Sequence, residues 1–224
     1  MARIKGVIFD IDGTLVDSND HHARAWQDAF REAARDVEFA RIRRLIGVGS
    51  DKLFAELTGQ SIDSPEGKAI SSDCKRIFKE RYLPQIEPLA GGRPLVERLQ
   101  SQGLRLAVAS SARREDLETL LEIAGVPQLL DNSTTSNDAD RSKPDPDIVS
   151  AALQKLDLPA EATVMIGDTP YDVEAGNRAG VRVIAVRCGG WGDKDLAGAA
   201  EIYDDPADVL ANFDRSCLGA VPTA

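Results

Sequence analysis

Val7-Ile8-Phe9-Asp10-Ile11-Asp12-Gly13-Thr14-Leu15-Val16-Asp17 is the stretch on which the reading of this chain turns. An apolar, β-branched run stops at two carboxylates one residue apart and a Gly-Thr turn, the pattern of a buried strand that ends at a reactive mouth. Two aspartates this close repel. They stay ionised together only where a cation sits between them, or else one is held protonated, and both states serve catalysis. Gly13 lets the backbone turn without a side-chain clash, and the Thr14 hydroxyl and amide can fix the loop. A strand followed by a solvated Asp-Gly turn is the structural alternative, and three further pieces of sequence weigh against it.

Working outward, short runs rich in Val, Ile and Leu recur at Ile4 to Phe9, Leu104 to Ala109, Val164 to Gly167 and Val181 to Val186. Helical patterns separate most of them, which predicts a parallel sheet wrapped on both faces. Helices are expected over Pro94 to Gln102, Arg113 to Ala124 and Pro170 to Ala179, each closed by a glycine, and another after a cap at Asp145. The interval from Asp17 to Leu89 has no convincing strand. Its first helix carries Trp26, Ala29, Phe30 and Ala33 on one face, and apolar positions return through Leu53 to Leu57 and Ile77 to Tyr82. The expected organisation is α/β: a Rossmann-like, doubly wound parallel sheet core over 1-16 and 90-224 with an inserted all-helical domain over 17-89. Ser216 to Ala224 is expected to fray.

The first of the three pieces is Val108-Ala109-Ser110-Ser111-Ala112-Arg113, a strand end running into a helix start, where backbone N–H groups attract phosphate and serine hydroxyls add neutral donors. An N-cap is the plainer role for such a serine pair. The second is Ser142-Lys143-Pro144-Asp145, in which proline keeps Lys143 extended and aims its ammonium inward. The third, Val164-Met165-Ile166-Gly167-Asp168-Thr169-Pro170-Tyr171-Asp172, repeats the design of strand, acid and turn. Asp168 and Asp172, one helical turn apart, face the same region, and hard oxygen donors suit magnesium better than zinc or calcium.

Composition narrows the partners. A formal net charge of −10 supplies no basic excess for nucleic acid or an anionic membrane, while small anionic substrates stay open because a site uses local charge. Cys74, Cys188 and Cys217 are odd in number and far apart, which fits reduced structural thiols rather than a disulfide framework or a zinc site. The apolar run at the N-terminus stops at Asp10, too short for a signal peptide, and no stretch reaches the length of a membrane span. A cytoplasmic protein, monomer or small homo-oligomer, is expected.

The four motifs, in this order, resemble those of the haloacid dehalogenase superfamily, in the branch with a helical C1-type cap that includes phosphoglycolate phosphatases and β-phosphoglucomutase. What the resemblance implies is magnesium-dependent phosphoryl transfer on a small phosphorylated metabolite, with a mobile cap closing over the phosphate pocket. Asp10 is then the nucleophile and Asp12 the proton donor and acceptor. Lys143 is catalytic and contacts phosphate together with Thr14, Ser110 and Ser111. Asp10, the main-chain carbonyl of Asp12, and Asp168 hold Mg2+, and Asp172 is a supporting acid. Members that break carbon–halogen bonds or phosphonates, and the transport ATPases, lack an aspartate at the position of Asp12. In the cap, His22 reads as a structural hinge or capping histidine rather than a catalytic one. The Gly47-Val48-Gly49-Ser50-Asp51-Lys52 turn, with Gly49, Ser50 and Lys52 as candidates, reads as a substrate loop or an interhelical turn. A phosphosugar mutase is the alternative enzyme, and a silent regulatory or binding module the alternative class. Ser50 stands where the mutase carries an arginine for its second phosphate, which favours hydrolysis.

Overall fold

The computed structural model describes residues 3–112, 114–135 and 138–219. The chain divides into two compact units, one formed by residues up to Asp17 and from Pro88 onward, the other by Ser18–Glu87.

The Ser18–Glu87 unit is built on helices α1 (Asn19–Glu32), α2 (Phe39–Arg43), α3 (Ser50–Thr58) and α4 (Pro65–Ile77). The stripe on α1 buries Ala23, Trp26, Ala29 and Phe30, and Phe30 stacks on Phe54 of α3 with ring centroids 5.9 Å apart. Ala33, expected on the same stripe, is exposed instead, because α1 has already ended and Ala33 serves as its C-cap. Pro65 starts α4 at a position where its missing N–H costs nothing, and the Ser64 side chain accepts from the Gly67 N–H at 3.0 Å.

The other unit carries strands β1 (Gly6–Phe9), β2 (Arg105–Ala109), β3 (Ser133–Thr134), β4 (Thr163–Gly167), β5 (Arg182–Val186) and β6 (Glu201–Tyr203), with helices α5 (Gly92–Ser101), α6 (Arg114–Ile123), α7 (Asp147–Leu156), α8 (Pro170–Arg178) and α9 (Pro206–Ala211). The strands form one sheet in the order β3-β2-β1-β4-β5-β6, every neighbouring pair parallel. Alternation along each strand sends side chains to opposite faces. Ile8, Ala107, Met165 and Val183 share one apolar layer with Ile148, Val149 and Ala152 of α7 and Val173 and Ala175 of α8. Val7, Phe9, Val108, Val164 and Ile166 point the other way and are fully buried too, so the sheet is covered on both faces. This is the α/β, Rossmann-like doubly wound core with an all-helical insertion that the hydrophobic pattern predicts.

Several details depart from the sequence expectation. β3 and β6, two and three residues long, were not anticipated, because so short a run carries no alternation to read. The N-cap of α7 is Pro146 rather than Asp145, whose carboxylate instead pairs with Arg178 at 3.5 Å. Gly103, Gly125 and Gly180 follow their helices at φ of 74°, 71° and 75°, but Arg113, the expected first residue of α6, lies outside the described residues. The described part of the C-terminal stretch does not fray: Ser216 is buried, its hydroxyl donating to the Phe213 carbonyl at 2.7 Å, and the Cys217 N–H donates to Glu201 at 2.8 Å. Residues 220–224 lie outside the described residues.

Register positions the chemistry. Phe9 at the end of β1 pairs with Val108 of β2 and Ile166 of β4. Asp10, Ser110 and Asp168 therefore leave the carboxyl ends of three adjacent strands side by side, where open α/β sheets gather their ligands. The chain departs for the helical unit and returns from it through one bridge, Val16 to Pro88, reinforced by the Leu89 N–H donating to the Leu15 carbonyl at 2.9 Å.

Candidate active site

The Asp10 backbone is held at the strand end, its N–H donating to the Ile166 carbonyl at 2.9 Å, and its carboxylate is nearly buried. Oδ1 of Asp10 lies 2.5 Å from Nζ of Lys143, which is 1% exposed although it belongs to a loop. The same ammonium pairs with Oδ1 of Asp172 at 2.8 Å and donates to the Ala109 carbonyl at 2.9 Å. A buried cation is tolerated only when its donors are filled and its charge is balanced, and here two carboxylates and a carbonyl do both.

Asp172 is braced from its other side. The Thr169 N–H and hydroxyl donate to its Oδ2 at 3.0 and 2.6 Å, and its own N–H donates back to the Thr169 oxygen at 3.2 Å. This is a capping box that opens α8, with Pro170 as the first helical residue. A motif that starts a helix thus also aims a carboxylate at Lys143. Asp168 is fully buried at the end of β4, and the Thr14 hydroxyl donates to its Oδ1 at 3.3 Å.

Burial pushes the Asp10 carboxyl well above its ordinary pKa, Lys143 pulls it back, and the charges of Asp172, Asp168 and Asp12 raise it further. For Lys143, burial acts to lower the pKa, but the charges of Asp10 and Asp172 outweigh it, so the ammonium stays protonated. Asp10, Asp168 and Asp172 bring carboxylate oxygens within 4.8 Å of one another. The three carboxyl groups outnumber the ammonium that pairs with two of them, and the donors they offer are all hard oxygens. That set suits a divalent, oxygen-seeking cation, and Asp172 within it also pairs with Lys143 and accepts from Thr169.

The core unit thus brings together Asp10, Thr14, Lys143, Asp168 and Asp172. Asp12, two residues beyond Asp10, is partly exposed, and Ser110 is fully buried with its hydroxyl accepting from the Ala112 N–H at 3.1 Å. The Ser111 hydroxyl oxygen is buried with no hydrogen-bond partner among the described residues. The four remaining candidates belong to the helical unit. His22 stacks on Phe78 with ring centroids 4.1 Å apart and planes 10° apart. Gly49 is the N-cap of α3, Ser50 its exposed first residue, and Lys52 is half-buried on its first turn. Two participants were missed. Thr169 was legible, since Thr-Pro-Tyr-Asp has capping-box spacing, whereas the Ala109 carbonyl offers no signal in sequence.

The profile of the haloacid dehalogenase-like hydrolases matches residues 7–186, a span that holds every one of these core-unit groups. The chain belongs to the haloacid dehalogenase-like hydrolase family. Within that family it is an enzyme of the phosphatase kind. Its relatives include a phosphoglycolate phosphatase of Rhodospirillum rubrum, 30% identical over 92% of this chain and 89% of the relative. An N-acetylmuramic acid 6-phosphate phosphatase of Pseudomonas aeruginosa is 28% identical over 96% of each chain. Among solved structures, a hydrolase from Pseudomonas syringae superposes with a TM-score of 0.88 at 30% identity, over 94% of this chain and 98% of its own.

Proposed function

We propose that this haloacid dehalogenase-like enzyme is a magnesium-dependent phosphatase that hydrolyses a small phosphomonoester, a sugar phosphate or a phosphoglycolate-like compound, through an aspartyl-phosphate on Asp10. The observation that carries the reading is the buried Asp10–Lys143–Asp172 ion triad beside Asp168 at the strand ends. In the first step an Asp10 carboxylate oxygen bonds to phosphorus, the ester P–O bond breaks, and the Asp12 carboxyl gives its proton to the leaving oxygen. In the second, the Asp12 carboxylate takes a proton from water as the water oxygen bonds to phosphorus and the aspartyl P–O bond breaks, restoring Asp10. Lys143 holds Asp10 in place and balances charge on the phosphoryl oxygens, and the Ser110 and Ser111 region supplies neutral donors. Magnesium, held by Asp10, Asp168 and the main-chain carbonyl of Asp12, would supply the positive charge that lets carboxylate and phosphate approach.

The working partner is the small metabolite alone. The reading places the enzyme in the cytoplasm as a monomer or small homo-oligomer; among the described residues no helix is long and apolar enough to cross a membrane, and the three cysteines are free.

A phosphate-release screen over sugar phosphates, phosphoglycolate, nucleotides and pyrophosphate is expected to find activity that chelator stops and magnesium restores, with calcium a poor substitute. Full activity in excess chelator would remove the metal from the scheme. Faster interconversion of glucose 1- and 6-phosphates, primed by a bisphosphate, than phosphate release would mark a mutase instead. Asp12→Ala is expected to slow alkyl phosphates by roughly 100-fold or more and aryl phosphates, with better leaving groups, much less. Equal losses on both would mean that Asp12 does not protonate the leaving oxygen.

A further inference from the structure

The chain leaves β5 through a tight turn, Arg187–Gly189, that meets the catalytic unit at several points. The Cys188 thiol donates to the Gly13 carbonyl at 3.2 Å, within the turn that follows Asp12. Burial, with added repulsion from Asp168, pushes this thiol up to about 12, so it remains a donor at neutral pH. Gly189 is buried, and a Cβ built on it would stand 1.7 Å from Oδ2 of Asp168 and 2.5 Å from its carboxyl carbon. Trp191 meets Tyr171 of α8 edge to face, with centroids 6.0 Å apart and planes at 85°, beside Asp172 in sequence. Arg187 fixes the root of the turn through Asp193 at 2.6 Å and Asp204 at 2.7 Å.

No side chain can occupy the space between the Gly189 backbone and the Asp168 carboxylate without moving one of them. Gly192, three residues on, is different: its nearest neighbour for a Cβ is an Asp195 oxygen at 3.9 Å, an ordinary contact. The demand for glycine at 189 is therefore local to the carboxylate.

We infer that Cys188 and Gly189 form a positioning clamp on the catalytic centre, with the bare backbone of Gly189 setting where the Asp168 carboxylate stands and Cys188 tying the Asp12–Gly13–Thr14 turn to the same loop. The inference rests on the phosphatase reading for what the clamped groups do. Groups behind a metal ligand fix its orientation, and losing them typically costs 10- to 100-fold in ion affinity or activity.

The test uses full-length wild-type, Gly189→Ala, Gly192→Ala, Cys188→Ser and Cys188→Ala proteins. Ion affinity is read with magnesium alone by calorimetry and thermal shift, and kcat and KM are read separately. Gly189→Ala is expected to weaken magnesium binding roughly 10- to 100-fold and to lower kcat at saturating substrate by about 100-fold. Gly192→Ala is expected to match wild type. Cys188→Ser keeps a donor for the Gly13 carbonyl and is expected to behave as wild type, whereas Cys188→Ala is expected to lose roughly tenfold in kcat with KM unchanged. Wild-type ion affinity in Gly189→Ala overturns the clamp. Should that variant fail to fold, Cys188→Ala indistinguishable from Cys188→Ser overturns it. Ion binding needs no substrate, so a wild-type protein that binds magnesium yet releases no phosphate counts against the phosphatase reading alone, and the titrations still decide the clamp. A wild-type protein that binds no magnesium overturns both.

Discussion

Asp10→Asn is expected to abolish phosphate release, by at least about 10⁴-fold, as removal of the nucleophile does in enzymes with a covalent intermediate. The amide keeps the size of the side chain and cannot form the aspartyl ester, so no route to the two-step reaction remains. Stability moves the other way or hardly at all. In the folded protein the Asp10 carboxylate is disfavoured first by burial and then by Asp172, Asp168 and Asp12, and only Lys143 opposes this. A neutral amide relieves three repulsions, while Lys143 keeps its partner Asp172 and the Ala109 carbonyl. Phosphate release and a thermal melt on the same preparation check both halves. Turnover near the wild-type rate would take Asp10 out of the nucleophile role, and a collapsed melt would show that its charge is needed for folding.

Lys143→Met is expected to harm both activity and fold. Methionine fills much of the same volume, but removing one side of a buried ion pair leaves the other charge uncompensated, at a cost of about 3–5 kcal/mol. Here two carboxylates, Asp10 and Asp172, would be left facing one space, fixed there by β1 and by the Thr169 capping box. Denaturant unfolding in chelator should show the full loss of midpoint. The rate should fall by roughly 10²–10³-fold, the scale of losing one preorganised electrostatic partner of the reacting group. Lys143→Arg is not expected to rescue, because a planar fork does not fit where a compact ammonium meets three oxygens. A midpoint equal to wild type would mean that Asp10 and Asp172 share a proton in place of the lysine.

The two variants also show why so much of this site was legible. Asp10, Asp12, Asp168 and Asp172 are acids set at the ends of apolar runs, and charge beside a strand pattern is a strong signal whatever the tertiary context. Lys143 could be singled out, yet its burial could not be read, since the groups that hold it come from three distant segments of chain. The sheet core was legible through Val, Ile and Leu runs of four or more residues, whereas β3 and β6 were too short to register. Asp145 looked like a helix cap by composition and lost that place to Pro146, because tertiary pairing with Arg178 competed for it. The Gly189 approach to Asp168 left no mark in sequence at all, since a glycine after a strand reads as a turn and nothing in its spacing names the carboxylate it meets.

The bridge between Val16 and Pro88 carries one more implication. Closing a flexible excursion costs entropy that rises only with the logarithm of its length, so once its two ends are pinned together, its contents weigh little on the host. To the sheet, everything from Ser18 to Glu87 is topologically one excursion whose ends are joined by the Val16–Pro88 bridge and the Leu15–Leu89 hydrogen bond. Lengthening, shortening or exchanging that excursion is expected to leave the pairing of β1 with β2 and β4 in place, and with it the position of Asp10. The unit that holds the Asp10–Lys143–Asp172 triad is then buffered against variation in the part inserted into it, so the two can diversify at different rates in descendants of the same chain.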